Sequence, residues 1–338
     1  MGARDPDSNS GSPRRPDPRA GAPVNSVGRS GDAGEAGISL TVSAVVIAHD
    51  PARRPLLEAA VASAAAAGAD EIVVVRPYDA PLGPWEGRYR DVRTSASSTG
   101  GKHADGVEAA RGDVVALLDD DDTWKPEKVG VVRDRFAARR DLVLLNHGYD
   151  IVDEHDRFLR AGTPSGGRWA LSSNLALRRA WATARTSLLR AAGWQADEVW
   201  LLLADVDAPN GIEVLDRSLT RWRYHAGNIS RSHRTSEREF RARHSALYDR
   251  WAQAEEAMLA YARQRGVPDG SPIAALHLRR RSEFRFLSAL EHDRAPRAAA
   301  RTFLAEGEGQ PPLRRLARLA RLSPGLARYL LFRFNRFH

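Results

Sequence analysis

The sequence predicts an α/β fold, with a mostly parallel sheet flanked by helices and a helical extension at the C-terminus. Runs rich in apolar and β-branched residues at 41–48, 71–75 and 114–118 are typical of buried strands. Between the first two runs, Leu57 and Val61 repeat with helical spacing. Strand, helix and strand joined by short links form a βαβ unit. Such units build parallel sheets that bind ligands at the carboxyl ends of their strands.

The rest of the chain continues this alternation and then becomes wholly helical. Residues 76–101 are rich in Pro and Gly and are predicted to form a loop. We expect helices at 103–111, 126–140, 182–192 and 197–208, strands at 142–146, 173–177 and 219–225, and a hairpin of 149–152 with 157–159. From residue 233 onward the spacing of apolar residues is helical. The chain is therefore divided into a tail at 1–37, an α/β domain at 38–232 and a helical extension at 233–338.

Composition excludes several classes of site and compartment. The tail has almost no large apolar side chains, which predicts disorder or an over-extended start site. The chain of 338 residues has no cysteine, so disulfides, thiolate nucleophiles and zinc-thiolate sites are excluded. No apolar run approaches the ~20 residues that span a bilayer, and the N-terminus lacks a signal-peptide core. These features predict a cytoplasmic protein, soluble or peripheral at the inner face of a membrane.

Four consecutive acids end the third predicted strand. Asp119, Asp120, Asp121 and Asp122 follow an apolar run, where like charges raise one another's pKa and resist joint ionisation. A divalent cation resolves this conflict, and oxygen ligands suit Mg²⁺ or Mn²⁺ completed by phosphate oxygens. The alternative is helix capping, since Asp and Thr cap helices and Pro126 suits a first turn. Capping explains one or two of the acids but not four.

A second candidate position lies at the start of the helix before the acids. Lys102 follows a glycine pair there, a place suited to binding an anion. A basic residue on a solvated helix start is an equally good interpretation.

Four segments in order resemble glycosyltransferase family 2, nucleotide-sugar-dependent enzymes, over roughly residues 42–232. Residues 45–57 are similar to the family's first nucleotide-binding unit, and 104–113 resemble its "N-x-G, A-x-G-D" run. The four acids, with Trp124 and Pro126, are similar to its DxD segment, and 197–201 resemble its "E-D-x-x-L" helix start. Seven residues fall at the expected spacing after that helix, namely Gly211, Leu219, Arg221, Arg223, His225, Asn228 and Ser230. The resemblance implies a GT-A fold, which is Rossmann-like, and an inverting hexosyl transfer.

The resemblance also implies the roles of individual residues. A metal acts as a Lewis acid on the leaving diphosphate, and a carboxylate takes the proton of the acceptor hydroxyl. The implied catalytic base is Glu198, with Asp197 and then Asp205 as alternatives. The implied donor-binding residues are Asp50, Asp79, Lys102, Asp105, Asp119, Asp120 and Arg223. The implied metal ligands are Asp119, Asp121, Asp122 and His225, although a lone His is also commonly structural.

Two departures from the family pattern bear on these roles. The family follows its second strand with an Asp-Asp-Gly-Ser run, whereas here Arg76-Pro77-Tyr78-Asp79 follows, so Asp79 is the stand-in. The acid pair at the helix start is Asp-Glu rather than Glu-Asp, so either acid can be the base. A non-catalytic or donor-altered binding protein of the same fold is therefore the alternative function.

The chain ends in a basic amphipathic stretch. Residues 313–322 and 326–337 contain many arginines and several aromatic residues but no acid. Such segments resemble helices that lie on anionic lipid, while packing onto the catalytic domain is the other interpretation. Lipid binding would favour a lipid-linked or cell-envelope glycan as acceptor. Nucleic acid is not expected as a partner, because the basic residues are scattered and no base-reading motif occurs.

Overall fold

The structure is a computed structural model that describes residues 40–79, 81–85, 87–164, 170–225, 228, 236–307 and 309–337. All of them lie within the unit Ser39–His338. The tail predicted at 1–37 lies outside the described residues.

One half of the sheet is parallel and ends in the acidic residues. Its strands pair in the order β3-β2-β1-β4. They are β1 (Val42–Ile47), β2 (Glu71–Arg76), β3 (Arg90–Arg93) and β4 (Val114–Asp119). All six residues of β1 are buried, because helices cover both faces of this half, which explains its continuous apolar run. β3 lies in the stretch predicted as loop, since its charged sequence carries no strand pattern.

The other half of the sheet is mixed, so the sheet is less parallel than predicted. Here β8 is antiparallel to both β4 and β6, whereas β6 and β9 run parallel. The strands are β5 (Thr123–Trp124), β6 (Leu144–Asp153), β7 (Phe158–Gly162), β8 (Leu175–Arg178) and β9 (Ile212–Tyr224). An apolar run has the same composition in either direction, so strand direction is set by the connections. The α/β class and the C-terminal helical region are confirmed.

Helices cover both faces of the sheet and then continue as the extension. The domain helices are α1 (Arg54–Ala66), α2 (Thr99–Ala109), α3 (Lys128–Ala138), α4 (Arg179–Thr183), α5 (Thr186–Ala192) and α6 (Ala196–Asp207). The extension contains α7 (Glu237–Gln264), α8 (Pro272–Glu291), α9 (Pro296–Glu306), α10 (Pro311–Leu322) and α11 (Pro324–Phe337). None of these described helices combines the length and the apolar character needed to cross a membrane.

Alternating residues of β1 serve two separate cores. Val45 and Ile47 pack on the side that holds α2, α5 and α6, whereas Val46 packs on the side of α1 and α3. The first core also takes in Ala254 and Met258 of α7, which joins the start of the extension to the sheet. The fold thereby fixes the position of α6 relative to the carboxyl end of the parallel strands.

The close packing of α2 on the sheet predicts an asymmetric pair of glycine substitutions. A Cβ added at Gly106 would lie 2.4 Å from Val45 Cγ1, whereas one at Gly130 in α3 meets nothing within 4 Å. We expect Gly106→Ala to cost about 1–3 kcal/mol through overpacking. Gly130→Ala should be neutral or gain up to about 1 kcal/mol by restricting the unfolded chain. Urea unfolding measures both, and equal effects would contradict the close approach of α2.

Candidate active site

The four acids lie where β4 ends, beside the end of β1. Asp119 is the register partner of Ile47, and the Asp120 amide donates to the Ile47 carbonyl oxygen at 3.2 Å. Asp120 and Asp122 are almost fully buried. Their carboxylates accept backbone amides, Asp120 Oδ2 from His49 at 3.0 Å and Asp122 Oδ1 from Arg223 at 2.9 Å. The cluster is therefore held by the ends of three strands.

Burial and mutual repulsion disturb the titration of these acids. Burial, followed by the charge of Asp121, raises the pKa of Asp120 to about 6 and that of Asp122 to about 8. Burial and then the charges of its three acidic neighbours raise the pKa of Asp119 well above its usual value. A positive charge placed among them would lower these pKa values and remove the repulsion.

Two side chains of the protein supply positive charge or hydrogen bonds to Asp121. Arg53 Nη1 lies 3.1 Å from Asp120 Oδ1 and 3.1 Å from Asp121 Oδ2. His225 Nε2 lies 3.0 Å from the same Asp121 oxygen. Burial alone raises the pKa of Asp121, but the His225 hydrogen bond and the Arg53 charge bring it below its usual value. Arg53 was not singled out in the sequence, because two neighbouring basic residues at a helix start carry no distinguishing pattern.

The predicted metal ligands do not converge on a single point. In the described part of the chain, no three His, Asp or Glu side chains form a group that could hold a metal ion. Asp122 Oδ1 is engaged by a backbone amide, and His225 contacts Asp121 directly. Asp119 and Asp121 remain as alternate carboxylates at the strand end. Such a pair fits Mg²⁺ or Mn²⁺, which take one or two protein carboxylates and complete their shell with water and phosphate.

A buried lysine is connected to the acids through Ser173. Lys128 is fully buried, and its Nζ donates to the Ser173 carbonyl oxygen at 2.6 Å and lies 4.3 Å from the centre of the Trp124 ring. Burial lowers its pKa, whereas the charge of Asp122 acts in the opposite direction. The hydroxyl of Ser173 meanwhile accepts the Asp119 amide hydrogen at 3.0 Å. Lys128 thus links the acids to the mixed half of the sheet.

The other predicted donor-binding residues fall into two groups. Lys102 is buried near the cluster, with its Nζ 3.1 Å from the Ala48 oxygen and 2.9 Å from His49 Nδ1. Asp50 caps the short turn after β1 by accepting the Ala52 amide at 2.9 Å. Asp79 and Asp105 are instead paired with arginines of other segments.

Those two pairs lie outside the acidic cluster. Asp79 is 91% exposed and pairs with Arg93, and Asp105 Oδ1 accepts a hydrogen bond from Arg190 at 2.6 Å. In contrast, Tyr78, which was not predicted, lies near Asp120. Burial raises the pKa of the Tyr78 hydroxyl, and the charge of Asp120 raises it further.

Arg223 lies beside the acidic cluster and contacts it directly. Its Nε donates to the Asp121 carbonyl oxygen at 3.1 Å, and its Nη2 lies 2.9 Å from Asp156 Oδ1. His225 lies two residues later, directly after the end of β9, and its amide donates to Asn228 Oδ1 at 2.5 Å. The last predicted segment residue, Ser230, lies outside the described residues.

The two acids at the start of α6 face different surroundings. Glu198 is held by Arg280 of α8, with Oε2 2.7 Å from Nη1 and Oε1 3.2 Å from Nη2. It lines a small cavity of about 20 Å³ with Asp205 and His277, on the side of the extension. Asp197, in contrast, lies close enough to Asp119 for its charge to raise the pKa of that acid. Burial, followed by the charge of Glu198, raises the pKa of Asp197 itself to about 7.

Comparison with known proteins gives one family match and several weaker likenesses. Residues 85–208 match the model of the family described as Glycosyl transferase family 2. A stretch of 77 residues is 39% identical to an uncharacterized glycosyltransferase of Nostoc sp. (strain PCC 7120 / SAG 25.82 / UTEX 2576). That stretch spans 23% of this chain and 23% of the length of that relative.

Two solved structures of one protein resemble the chain at low sequence identity. Residues 1–349 of S. aureus TarS in complex with UDP-GlcNAc align with 88% of this chain and 91% of that one, at 13% identity and a TM-score of 0.49. The same fragment in complex with UDP aligns with 88% of this chain and 92% of that one, at 12% identity and a TM-score of 0.46.

The ion pair between α6 and α8 predicts a stability difference between two arginines. Arg280→Ala leaves the largely buried Glu198 carboxylate without its bidentate partner. We expect the free energy of unfolding to fall by about 1–3 kcal/mol. The matched control is Arg157→Ala, whose side chain is 76% exposed and pairs with Asp153. The control should change stability by less than ~0.5 kcal/mol, since exposed pairs contribute little. Urea unfolding of both variants provides the test, and losses of equal size would contradict a stabilising role of the ion pair between Arg280 and Glu198.

Proposed function

We propose that this chain, whose residues 85–208 match the model of glycosyltransferase family 2, is a metal-dependent inverting enzyme of that family. In this proposal it moves a sugar from a nucleotide-diphosphate donor to the hydroxyl of an acceptor. The observation that carries the proposal is the row of four carboxylates at the carboxyl end of β4, held there by backbone amides of His49 and Arg223. Carboxylates at this edge could hold a metal for a diphosphate, and Asp197 lies close enough for its charge to raise the pKa of Asp119.

We propose Asp197 rather than Glu198 as the general base. An acceptor hydroxyl must lose its proton as it attacks the anomeric carbon, and a carboxylate with a pKa near the working pH does this best. Asp197 has such a pKa, about 7, and lies on the side of Asp119. Glu198 forms two bonds with Arg280, which leaves its oxygens poorly placed to accept a proton. The glycosidic bond of the donor breaks as the new bond forms, and attack from the opposite face inverts the anomeric centre.

The leaving diphosphate would be met by the acids and by the basic side chains around them. Asp119 and Asp121 would hold Mn²⁺ or Mg²⁺, which as a Lewis acid stabilises charge on the departing diphosphate. Arg53 is 22% exposed in its side chain and stands at the same edge, so it can add a guanidinium to the phosphate oxygens. Lys102 holds the end of β1 through the Ala48 oxygen, which positions the turn that carries Arg53.

The proposed acceptor is a cell-envelope or lipid-linked glycan, reached at the inner face of a membrane. The support for this is the arginine-rich end of the chain, which has no acid after residue 311. A soluble enzyme acting on a lipid-linked acceptor needs a surface that holds it at the bilayer.

A non-catalytic protein of the same fold is the second candidate function. The observation that favours it is the bridge from Arg53 to Asp120 and Asp121, which places an internal cation at the edge where a metal would bind. The two candidates differ in turnover and in metal-dependent donor binding.

Substitution of the two acids of α6 separates their roles. We expect Asp197→Asn to lower kcat by about 10²–10⁴, the usual contribution of a general base. Glu198→Gln should retain kcat within about tenfold, since in the proposal it bonds to Arg280 and does not touch the acceptor. Release of nucleotide diphosphate from a panel of nucleotide sugars measures both, with melting temperatures showing that each variant is folded.

The wild-type pH profile provides a second readout of the same assignment. Because the base must be ionised, kcat/KM should rise about tenfold per pH unit below 7 and level off above it. A large loss in Glu198→Gln with activity retained in Asp197→Asn would assign the base to Glu198. Wild-type protein that releases no nucleotide diphosphate from any donor would favour the non-catalytic candidate.

Metal-dependent donor binding tests the acids directly. A ligand at 100 times its Kd stabilises the folded state by about 2.7 kcal/mol, so nucleotide diphosphate with Mn²⁺ should raise the wild-type melting temperature by several degrees. Asp121→Asn should abolish the part of this shift that depends on Mn²⁺. The matched control is Asp141→Asn, an acid whose side chain is 61% exposed and which pairs with Arg139. A shift that is the same with and without Mn²⁺ would contradict metal dependence.

A further inference from the structure

Large apolar side chains are exposed together where α10 meets α11. Leu322 is 78% exposed, and Leu326, Tyr329 and Leu330 are each 44–46% exposed. The described part of the chain has seven exposed large apolar residues, and four of them fall in this short stretch. Leu326, Tyr329 and Leu330 have the spacing of one helix face, so they form one surface rather than isolated contacts.

A groove between the two helices continues this apolar surface. Its volume is about 270 Å³, and leucines of both helices line it, with Arg315 at its border. The lining leucines are Leu313, Leu316, Leu319, Leu330 and Leu331. Beneath the groove, Ala317, Ala320 and Ala327 are fully buried against the rest of the extension, which holds the two helices in place. We call the groove and the exposed residues around it the C-terminal face.

Arginines accompany the apolar residues, and acids are absent. Residues 311–338 contain seven arginines and no Asp or Glu. Arg315, Arg318 and Arg321 are exposed, and no carboxylate of the described residues lies within ion-pair distance of them. Arg328, in contrast, pairs with Asp293 at 2.8 Å and belongs to the packing of the extension. The C-terminal face is thus both apolar and positively charged.

We infer that the C-terminal face docks on an anionic lipid membrane. Leucines at the face can enter the boundary between headgroups and acyl chains, while the flanking guanidinium groups reach the lipid phosphates. This inference deepens the proposed function, because it names the surface that would bring the enzyme to a lipid-linked acceptor. It rests on the proposed function only for the identity of that acceptor.

Two other occupants fit the face less well. A second copy of the chain joined by a two-fold contact would bring the arginines of both copies, Arg315, Arg318 and Arg321, into one interface, where like charges repel. A nucleic acid would satisfy the arginines but would leave Leu322 and Leu326 against a charged phosphate backbone with no apolar surface to cover them. Of these three occupants, only a lipid interface offers negative charge and apolar surface side by side.

Co-sedimentation of the full chain with lipid vesicles tests the inference without any sugar nucleotide. We expect binding to phosphatidylcholine vesicles that contain phosphatidylglycerol, weak binding to pure phosphatidylcholine, and a decrease with added salt. Removing three arginines should weaken binding on the order of 100-fold, since each is worth roughly a factor of five near an anionic surface. Removing three exposed leucines should weaken it by about tenfold or more. The variants are Arg315→Gln/Arg318→Gln/Arg321→Gln and Leu322→Ser/Leu326→Ser/Leu330→Ser.

Matched controls carry the same changes on other exposed surfaces. Phe158 and Leu159 are 62% and 51% exposed on β7, so Phe158→Ser/Leu159→Ser should bind vesicles as wild type does. The charge control removes three exposed arginines elsewhere, in Arg111→Gln/Arg140→Gln/Arg301→Gln. It should retain most of the binding, because these residues lie outside the C-terminal face.

Several results would overturn the inference. Equal losses in test and control variants would show that net charge or general stickiness, not this face, drives binding. A concentration-dependent dimer that the leucine variant abolishes would assign the face to self-association, and preferential binding of an RNA homopolymer would assign it to nucleic acid. Failure to bind anionic vesicles by a protein that turns over nucleotide sugars would overturn the docking surface and leave the proposed enzyme standing. Vesicle binding by a protein that turns over no nucleotide sugar would support the docking surface and would contradict the proposed enzyme.

Discussion

The site depends on the repulsion among four carboxylates at the end of a buried strand. Burial and like charge raise the pKa of Asp119, Asp120 and Asp122, so the cluster requires positive charge or hydrogen-bond donors to remain ionised. The fold provides a backbone amide just after β1, another in β9, and the guanidinium of Arg53. These groups come from separate segments and meet at one edge of the sheet. Neutralising the acids therefore requires that the fold bring those segments together.

This arrangement gives Arg53 a different character from the residues around it. Amides of His49 and Arg223 are fixed in the backbone, whereas the Arg53 side chain has several rotatable bonds and is partly exposed. In the proposed enzyme its guanidinium would neutralise the acids before a donor binds and would contact the phosphate oxygens afterwards. The buried Lys128 has no such freedom, because it is enclosed by Trp124, Ser173 and Thr220 and serves as a permanent support.

The helical extension contributes to the site as well as to the surface. Arg280 of α8 binds Glu198 and thereby separates the two neighbouring acids of α6 into different environments. Glu255 and His277, 2.7 Å apart and buried between α7 and α8, hold that helix pair together. The extension therefore sets the surroundings of Glu198, although among the described residues it contributes no side chain to the acidic cluster.

The sequence alone determined the α/β class, the helical extension and the position of the acids at a strand end. Apolar runs and helical spacing reflect the burial of each local segment, and the short run before Asp119 is typical of a buried strand. Strand direction, the strand β3 with its three charged residues, and the partners of each acid depend on groups far apart in the chain. Arg53 lies 67 positions from Asp120, and Arg280 lies 82 from Glu198. No local pattern encodes such pairs, because only the tertiary packing brings the turn before α1 to the end of β4 and α8 to the start of α6. The same packing pairs Glu198 with Arg280 and leaves Asp197 close enough to Asp119 for its charge to raise the pKa of that acid.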